Sequence, residues 1–84
     1  MRIELSSQAG KQLRKLKSNQ ELYRRINAGL DEIAENPNLG KPLGGGFEGV
    51  RSCRVGDWRI LYEVFRKQLR ILVIRIAHRR EAYR

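Results

Sequence analysis

The chain has 84 residues and a formal net charge of +9, with 18 Lys and Arg against nine Asp and Glu. That length allows one domain, residues 1–84, with a modest core, and no apolar run reaches the ~18 residues of a membrane span. One cysteine and one histidine leave no intrachain disulfide and cannot by themselves hold zinc, so neither metal nor cofactor is expected, and a reducing cytoplasm is the natural setting.

In chain order, Arg2-Ile3-Glu4-Leu5 alternates as a short first strand. Ser6 or Ser7 can cap a helix whose apolar positions are Ala9, Leu13 and Leu16, with Lys11, Arg14, Lys15 and Lys17 on its remaining surface. Ser18-Asn19-Gln20-Glu21 has the form of a capping box and opens a second helix. Leu22, Ile26, Leu30, Ile33 and Ala34 make one stripe of it, and Gly29 marks a close contact with the first helix. Asn36-Pro37 ends it, because the residue before proline avoids helical angles. Asn38 to Glu48 reads as a flexible connection around Gly44-Gly45-Gly46, with Lys41 within reach of a phosphate. The glycine run lacks the Lys-Ser/Thr pair and helix start of a phosphate-binding P-loop.

From Gly49 onward the chain reads as three strands and a basic tail. Val55-Gly56-Asp57 breaks the first from the second, and Arg66-Lys67-Gln68 the second from the third. The third, Leu69 to Ile76, is nearly all apolar, as an inner strand covered on both faces would be. The order β-α-α-β-β-β implies an α+β fold: a helical hairpin on one face of a mostly antiparallel four-stranded sheet, with the other face open. Leu13, Leu30 and Ile74 are expected to share one core.

The charge is uneven. Residues 1–48 carry eight basic and six acidic side chains, net +2, and residues 49–84 carry ten and three, net +7. A basic half on a nearly neutral one points first to nucleic acid, then to an acidic protein. The open face is expected to carry arginines 51, 54, 59 and 75, with 79 and 80 following. Metal-free cleavage of RNA uses the ribose 2′-hydroxyl against the adjacent phosphate. It needs charge neutralisation on the phosphoryl oxygens and groups that move protons. Arginine suits the first task, and histidine and tyrosine the second. Ala77-His78-Arg79-Arg80-Glu81-Ala82-Tyr83-Arg84 carries all these types, and Arg54 and Arg59 on neighbouring strands can converge with them. Taken singly, His78 is equally a strand-end surface residue, Tyr83 a residue packed on the sheet edge and Arg59 a salt-bridge partner. Cys53 reads as a small apolar strand residue.

Arg54-Val55-Gly56-Asp57-Trp58-Arg59-Ile60-Leu61-Tyr62-Glu63-Val64, then a hairpin, then the tail from Ala77 to Arg84, resembles the RelE/ParE superfamily of type II toxins, its RelE branch in particular. The resemblance spans nearly the whole chain. It implies an mRNA interferase acting on messenger in the ribosomal A site, neutralised by a cognate antitoxin and repressing its own operator DNA with it. It implies catalytic roles for Arg59, Arg79 and Tyr83, with Arg54 and His78 assisting. Independently of the resemblance, charge and placement make Arg51, Arg54, Arg75, Arg80 and Lys41 the expected RNA contacts. The two lysines that the best-known members carry before the turn have no counterpart: Val50 and Ser52 stand there, with Arg51 and Arg54 the nearest basic residues. Two other readings stand beside it: a ParE-like DNA gyrase inhibitor without RNase activity, which shares the fold, and a non-catalytic nucleic-acid-binding module that holds nucleic acid by charge on its basic sheet face.

Overall fold

In the computed structural model, which describes residues 1–46 and 49–81, strand β1 (Arg2–Leu5) leads into helix α1 (Ser7–Lys15). Ser6 is the cap: its hydroxyl accepts from the Ala9 amide at 3.0 Å and donates to the Ile74 carbonyl at 2.7 Å. One side chain thus starts the helix and ties it to the far end of the sequence. A 3₁₀ turn, Leu16–Ser18, leads to α2 (Gln20–Glu35). The cap of α2 is Asn19, whose side chain accepts from Leu22 N, while Ser18 instead turns back to the Lys15 carbonyl. The helix stops at Asn36, before Pro37, as the sequence requires.

Strands β2 (Lys41–Pro42), β3 (Val50–Val55), β4 (Trp58–Phe65) and β5 (Arg70–His78) complete one sheet of order β1-β5-β4-β3-β2. β1 runs parallel to β5, and every other pair is antiparallel. The sheet has five strands rather than four because Lys41 and Pro42 pair with Ser52 and Arg51. Two residues are too few to show alternation, and proline is tolerated there because the strand is an edge.

Both helices pack on one face. Leu16, Ile26, Leu30 and Ile33 meet Cys53, Ile60, Tyr62, Ile71, Val73 and Ile76 in a single core, with Leu13 packed against it. Ile74 is only half-buried and lies outside that cluster, a departure from expectation with a local cause. β5 carries a bulge here: Leu61 pairs with Arg75 and Tyr62 with Val73, so Ile74 has no cross-strand partner. β1 ends opposite Val73, leaving the next stretch of β5 at an open edge. α1 covers it, through Ser6 on the Ile74 carbonyl and the Gln12 side chain, which accepts from Ile76 N at 2.9 Å. Gly29 marks a close approach to the sheet, not to α1. A Cβ there would lie 3.0 Å from Val55 Cγ2 and 3.2 Å from Ile60 Cδ1.

The β4–β5 turn ends on Leu69 at φ 52°, a left-handed conformation that bulky side chains resist, with the side chain 67% exposed. Leu69→Asn should relieve that strain at no packing loss. We expect a gain of about 1 kcal/mol, read as a higher midpoint in thermal melting; an unchanged or lower midpoint would show that Leu69 carries no strain.

Candidate nucleic-acid interface

Side chains alternate along a strand, so register decides which groups share a face. On β3 and β4, Arg54 pairs with Arg59, Ser52 with Leu61, and Cys53 with Ile60. Since Cys53 and Ile60 belong to the helix-side core, Arg54 and Arg59 face the other way. Across β4–β5, Arg59 pairs with Ala77 and Leu61 with Arg75. The open face therefore holds Arg54, Arg59 and Arg75 around Leu61 and Ala77, which are buried although no helix covers this side. The two ion pairs among the described residues lie at the opposite end of the sheet, where Glu4 meets Arg2 and Arg70.

Arg54 donates from Nε to the Gly56 carbonyl at 3.0 Å, which orients its guanidinium beside the β3–β4 turn. Arg59 Nε is buried without a hydrogen-bond partner among the described residues. Two arginines directly across a ladder repel each other, so their pairing does not serve stability. Lys41, from β2, joins them: Lys41, Ser52, Arg54 and Arg59 border a cleft of about 570 Å³ with an apolar side of Leu39, Pro42 and Leu43. Glu32 and Cys53 complete it. Burial, and then the nearby Glu32 carboxylate, push the Cys53 thiol up, so it stays protonated and is no nucleophile at neutral pH.

His78 does not join this group. It pairs with Trp58 across β4–β5 and the rings meet edge-on, centroids 5.9 Å apart at 84°. This places it on the helix-bearing face, in a groove of about 330 Å³ with Arg25, Asp57 and the start of α2. The bulge at Ile74 is the cause. Without it, unbroken alternation from Val73 would turn Arg75 and Ala77 toward the helices and His78 toward the arginines.

The tail begins at the same end of the sheet. Arg79 N donates to the Asp57 carbonyl at 2.7 Å and Glu81 N to the His78 carbonyl at 2.8 Å, so exposed Arg79 and Arg80 leave β5 beside the β3–β4 turn. Tyr83 lies outside the described residues. Arg51 is on the helix side of β3, where its guanidinium donates to the carbonyls of Gly40 at 2.6 Å and Asn38 at 3.3 Å. That side chain holds the α2–β2 loop and is not aligned with Arg54 and Arg59. Arg25 was not singled out by sequence; its spacing reads only as a solvated position on α2.

The family described as "ParE toxin of type II toxin-antitoxin system" matches residues 3–83. The toxin RelE of Mycobacterium tuberculosis is 42% identical over 53 residues, 62% of this chain; the match spans only about half, 55%, of that curated relative. Among solved structures, the RelBE2 toxin–antitoxin complex from M. tuberculosis superposes with a TM-score of 0.81 at 23% identity, over 92% of this chain and 95% of that one. The YoeB/ParE toxin from Agrobacterium tumefaciens gives 0.82 at 21% identity, over 93% and 98%. The isolated E. coli RelE toxin gives 0.77 at 20% identity, over 92% and 82%. These structural likenesses carry the fold, and the match along nearly the whole sequence carries the kinship: the chain belongs to the ParE toxin family of type II toxin–antitoxin systems, within the RelE/ParE superfamily.

Proposed function

We propose that this chain is a ribosome-dependent endoribonuclease that halts translation by cutting messenger RNA. The observation that carries the reading is the convergence of Lys41, Arg54 and Arg59 on one cleft bordered by β2, β3 and β4, with Glu32 of α2 at its side. A site with that charge and no paired carboxylates suits a phosphodiester.

The 2′-hydroxyl gives up its proton to solvent as its oxygen attacks the neighbouring phosphorus, the P–O5′ bond breaks, and a 2′,3′-cyclic phosphate forms as the 5′-oxygen takes a proton from water. Arg59 and Arg79 neutralise the phosphoryl oxygens as charge builds. Arg54, Arg75, Arg80 and Lys41 hold flanking phosphates. Tyr83, by resemblance, stacks on a splayed base; a phenol of ordinary pKa ~10 is a poor base at neutral pH. With the one histidine of the chain off the arginine face, the ribosome orients the 2′-hydroxyl, which is why naked RNA should be cut poorly. His78, the natural acid by chemistry, stands on the opposite face and is assigned no part in proton transfer.

The partner is an acidic antitoxin made alongside it, and the pair together occupies operator DNA; solved relatives include the intact E. coli RelBE toxin–antitoxin complex. The cytoplasm is where ribosome and messenger meet it. The family's ParE description favours a second reading, gyrase inhibition without RNA cleavage. Induced expression separates the two: cleaved ribosome-bound messenger supports the first, and intact transcripts with accumulating gyrase-dependent DNA breaks replace it with the second. In the cleavage assay, Tyr83→Phe should keep most activity and Tyr83→Ala lose it. Equal failure of both would assign the hydroxyl a proton-transfer role.

A further inference from the structure

The groove that receives His78 is unused by the chemistry above, and its lining is unusual. Arg25, Glu21 and Asp57 all border it, yet none forms an ion pair among the described residues. Arg25 lies over the β3–β4 turn, its Nη2 3.1 Å from where a Gly56 Cβ would stand. Trp58 and His78 form one wall, and Leu22 and Val55 add apolar surface. Two carboxylates oppose a simple anion, and Arg25 opposes a simple cation. A flat neutral ligand with donors on one edge and acceptors on another satisfies both. The volume, about 330 Å³, is at the small end of ligand sites and suits one aromatic ring system.

We propose that this groove is a nucleobase subsite preferring guanine, filled by the same RNA strand whose phosphates lie on the arginine face; the proposal rests on the RNA reading above. Guanine presents N1–H and N2–H together, which a carboxylate of Glu21 or Asp57 accepts as a pair. It presents O6 and N7 on the adjoining edge, which Arg25 donates to in the fork geometry. Adenine and uracil offer neither pair, and cytosine offers an acceptor pair, O2 and N3, but lacks the paired ring and exocyclic donors. The Trp58–His78 wall supplies the stacking surface that single-stranded RNA recognition uses. Groove and arginine cleft meet at one end of the sheet. Trp58 and Arg59 are consecutive on β4 and point to opposite faces, and Arg79 is tied to Asp57 at that end. A strand crossing this end lays phosphates on one face and a base on the other.

Trp58 is the only tryptophan of the chain, so its fluorescence reads the groove directly. The probes are 2′-O-methyl trinucleotides UGU, UAU, UCU and UUU, which cannot be cleaved. UGU should quench Trp58 saturably, with an affinity about tenfold above UUU. Arg25→Met, shown folded by thermal melting, should erase that preference while all four still bind. Glu21→Gln with Asp57→Asn should do the same. Arg59→Ala should weaken all four alike and keep their order. Equal affinities in the native chain, a preference that survives Arg25→Met, or binding that leaves Trp58 unmoved would each overturn the subsite. If ribosome-bound messenger is still cut in those cases, only the subsite falls. If no trinucleotide binds and messenger stays intact, the RNA reading falls with it.

Discussion

Arg59→Ala is expected to lower cleavage of ribosome-bound messenger by roughly 10²–10³-fold, the usual cost of removing one contact to developing charge, while leaving the fold intact. Arg59 sits in the middle of the sheet, opposite Arg54 on one side and Ala77 on the other. Its Nε is buried without a hydrogen-bond partner among the described residues, and its cross-strand neighbour repels it. Each of those features costs stability. The thermal midpoint of Arg59→Ala should therefore stay level or rise, a combination that a structural residue would not give. Arg59→Lys keeps the charge but loses the planar fork, so it should rescue only a small part of the rate. Cleavage by Arg59→Ala at the native rate would remove Arg59 from the site and leave the basic face a binding surface alone.

Tyr62→Phe should be the costliest small substitution in the core. Tyr62 is fully buried, and its hydroxyl donates to the Pro37 carbonyl at 2.8 Å and accepts from Gly40 N at 2.7 Å. Phenylalanine fills the same space but strands both backbone groups. The expected loss is about 1–3 kcal/mol, which for a domain of this size lowers the melting midpoint by roughly 4–8 °C per kcal/mol. Gly40→Ala attacks the same junction from the other side. A Cβ there would stand 2.8 Å from the Tyr62 hydroxyl and 3.0 Å from the Ser52 carbonyl, and the carbonyl cannot swing away. The pH dependence follows from the same burial, which raises the Tyr62 pKa above its usual 10.0 and outweighs the lowering by the Gly40 amide. A folded-state value above the unfolded one means that the neutral phenol's contribution is whole below about pH 10 and is lost as pH rises through the folded value. Tyr62→Phe should flatten that alkaline loss. Cys53, also raised, acts in the same direction from nearer pH 9.0, so the comparison belongs in a Cys53→Ala background. A loss under 0.5 kcal/mol for Tyr62→Phe would show that water replaces the hydroxyl, and that the loop from Pro37 to Gly40 is not held by it.

Local chemistry makes much of this molecule legible from its sequence. The stripe of Leu22, Ile26, Leu30 and Ile33 with Asn36-Pro37 set the length and buried side of α2, because period and terminator both lie within the helix. Gly56-Asp57 likewise marked the β3–β4 turn, where Gly56 adopts φ +60°. The excess of arginine in the second half pointed to a polyanion without reference to any contact. The two-residue strand at Lys41–Pro42 was beyond such reading, since only its partner on β3 makes it a strand. Arg51 looked like its neighbour Arg54 in sequence, yet backbone carbonyls of a loop more than ten residues upstream claim it. The largest difference turns on one residue. Side chains alternate with a period of two, so the unpaired Ile74 reverses every later position of β5. It sends Arg75 to the arginine face and His78 to the helix face, although both read from the sequence as members of one cluster. Composition and period are properties of a segment, and the sequence settles them alone. Register is set by hydrogen bonds between strands and by the packing of α1 against the bulge, and only the folded chain decides it.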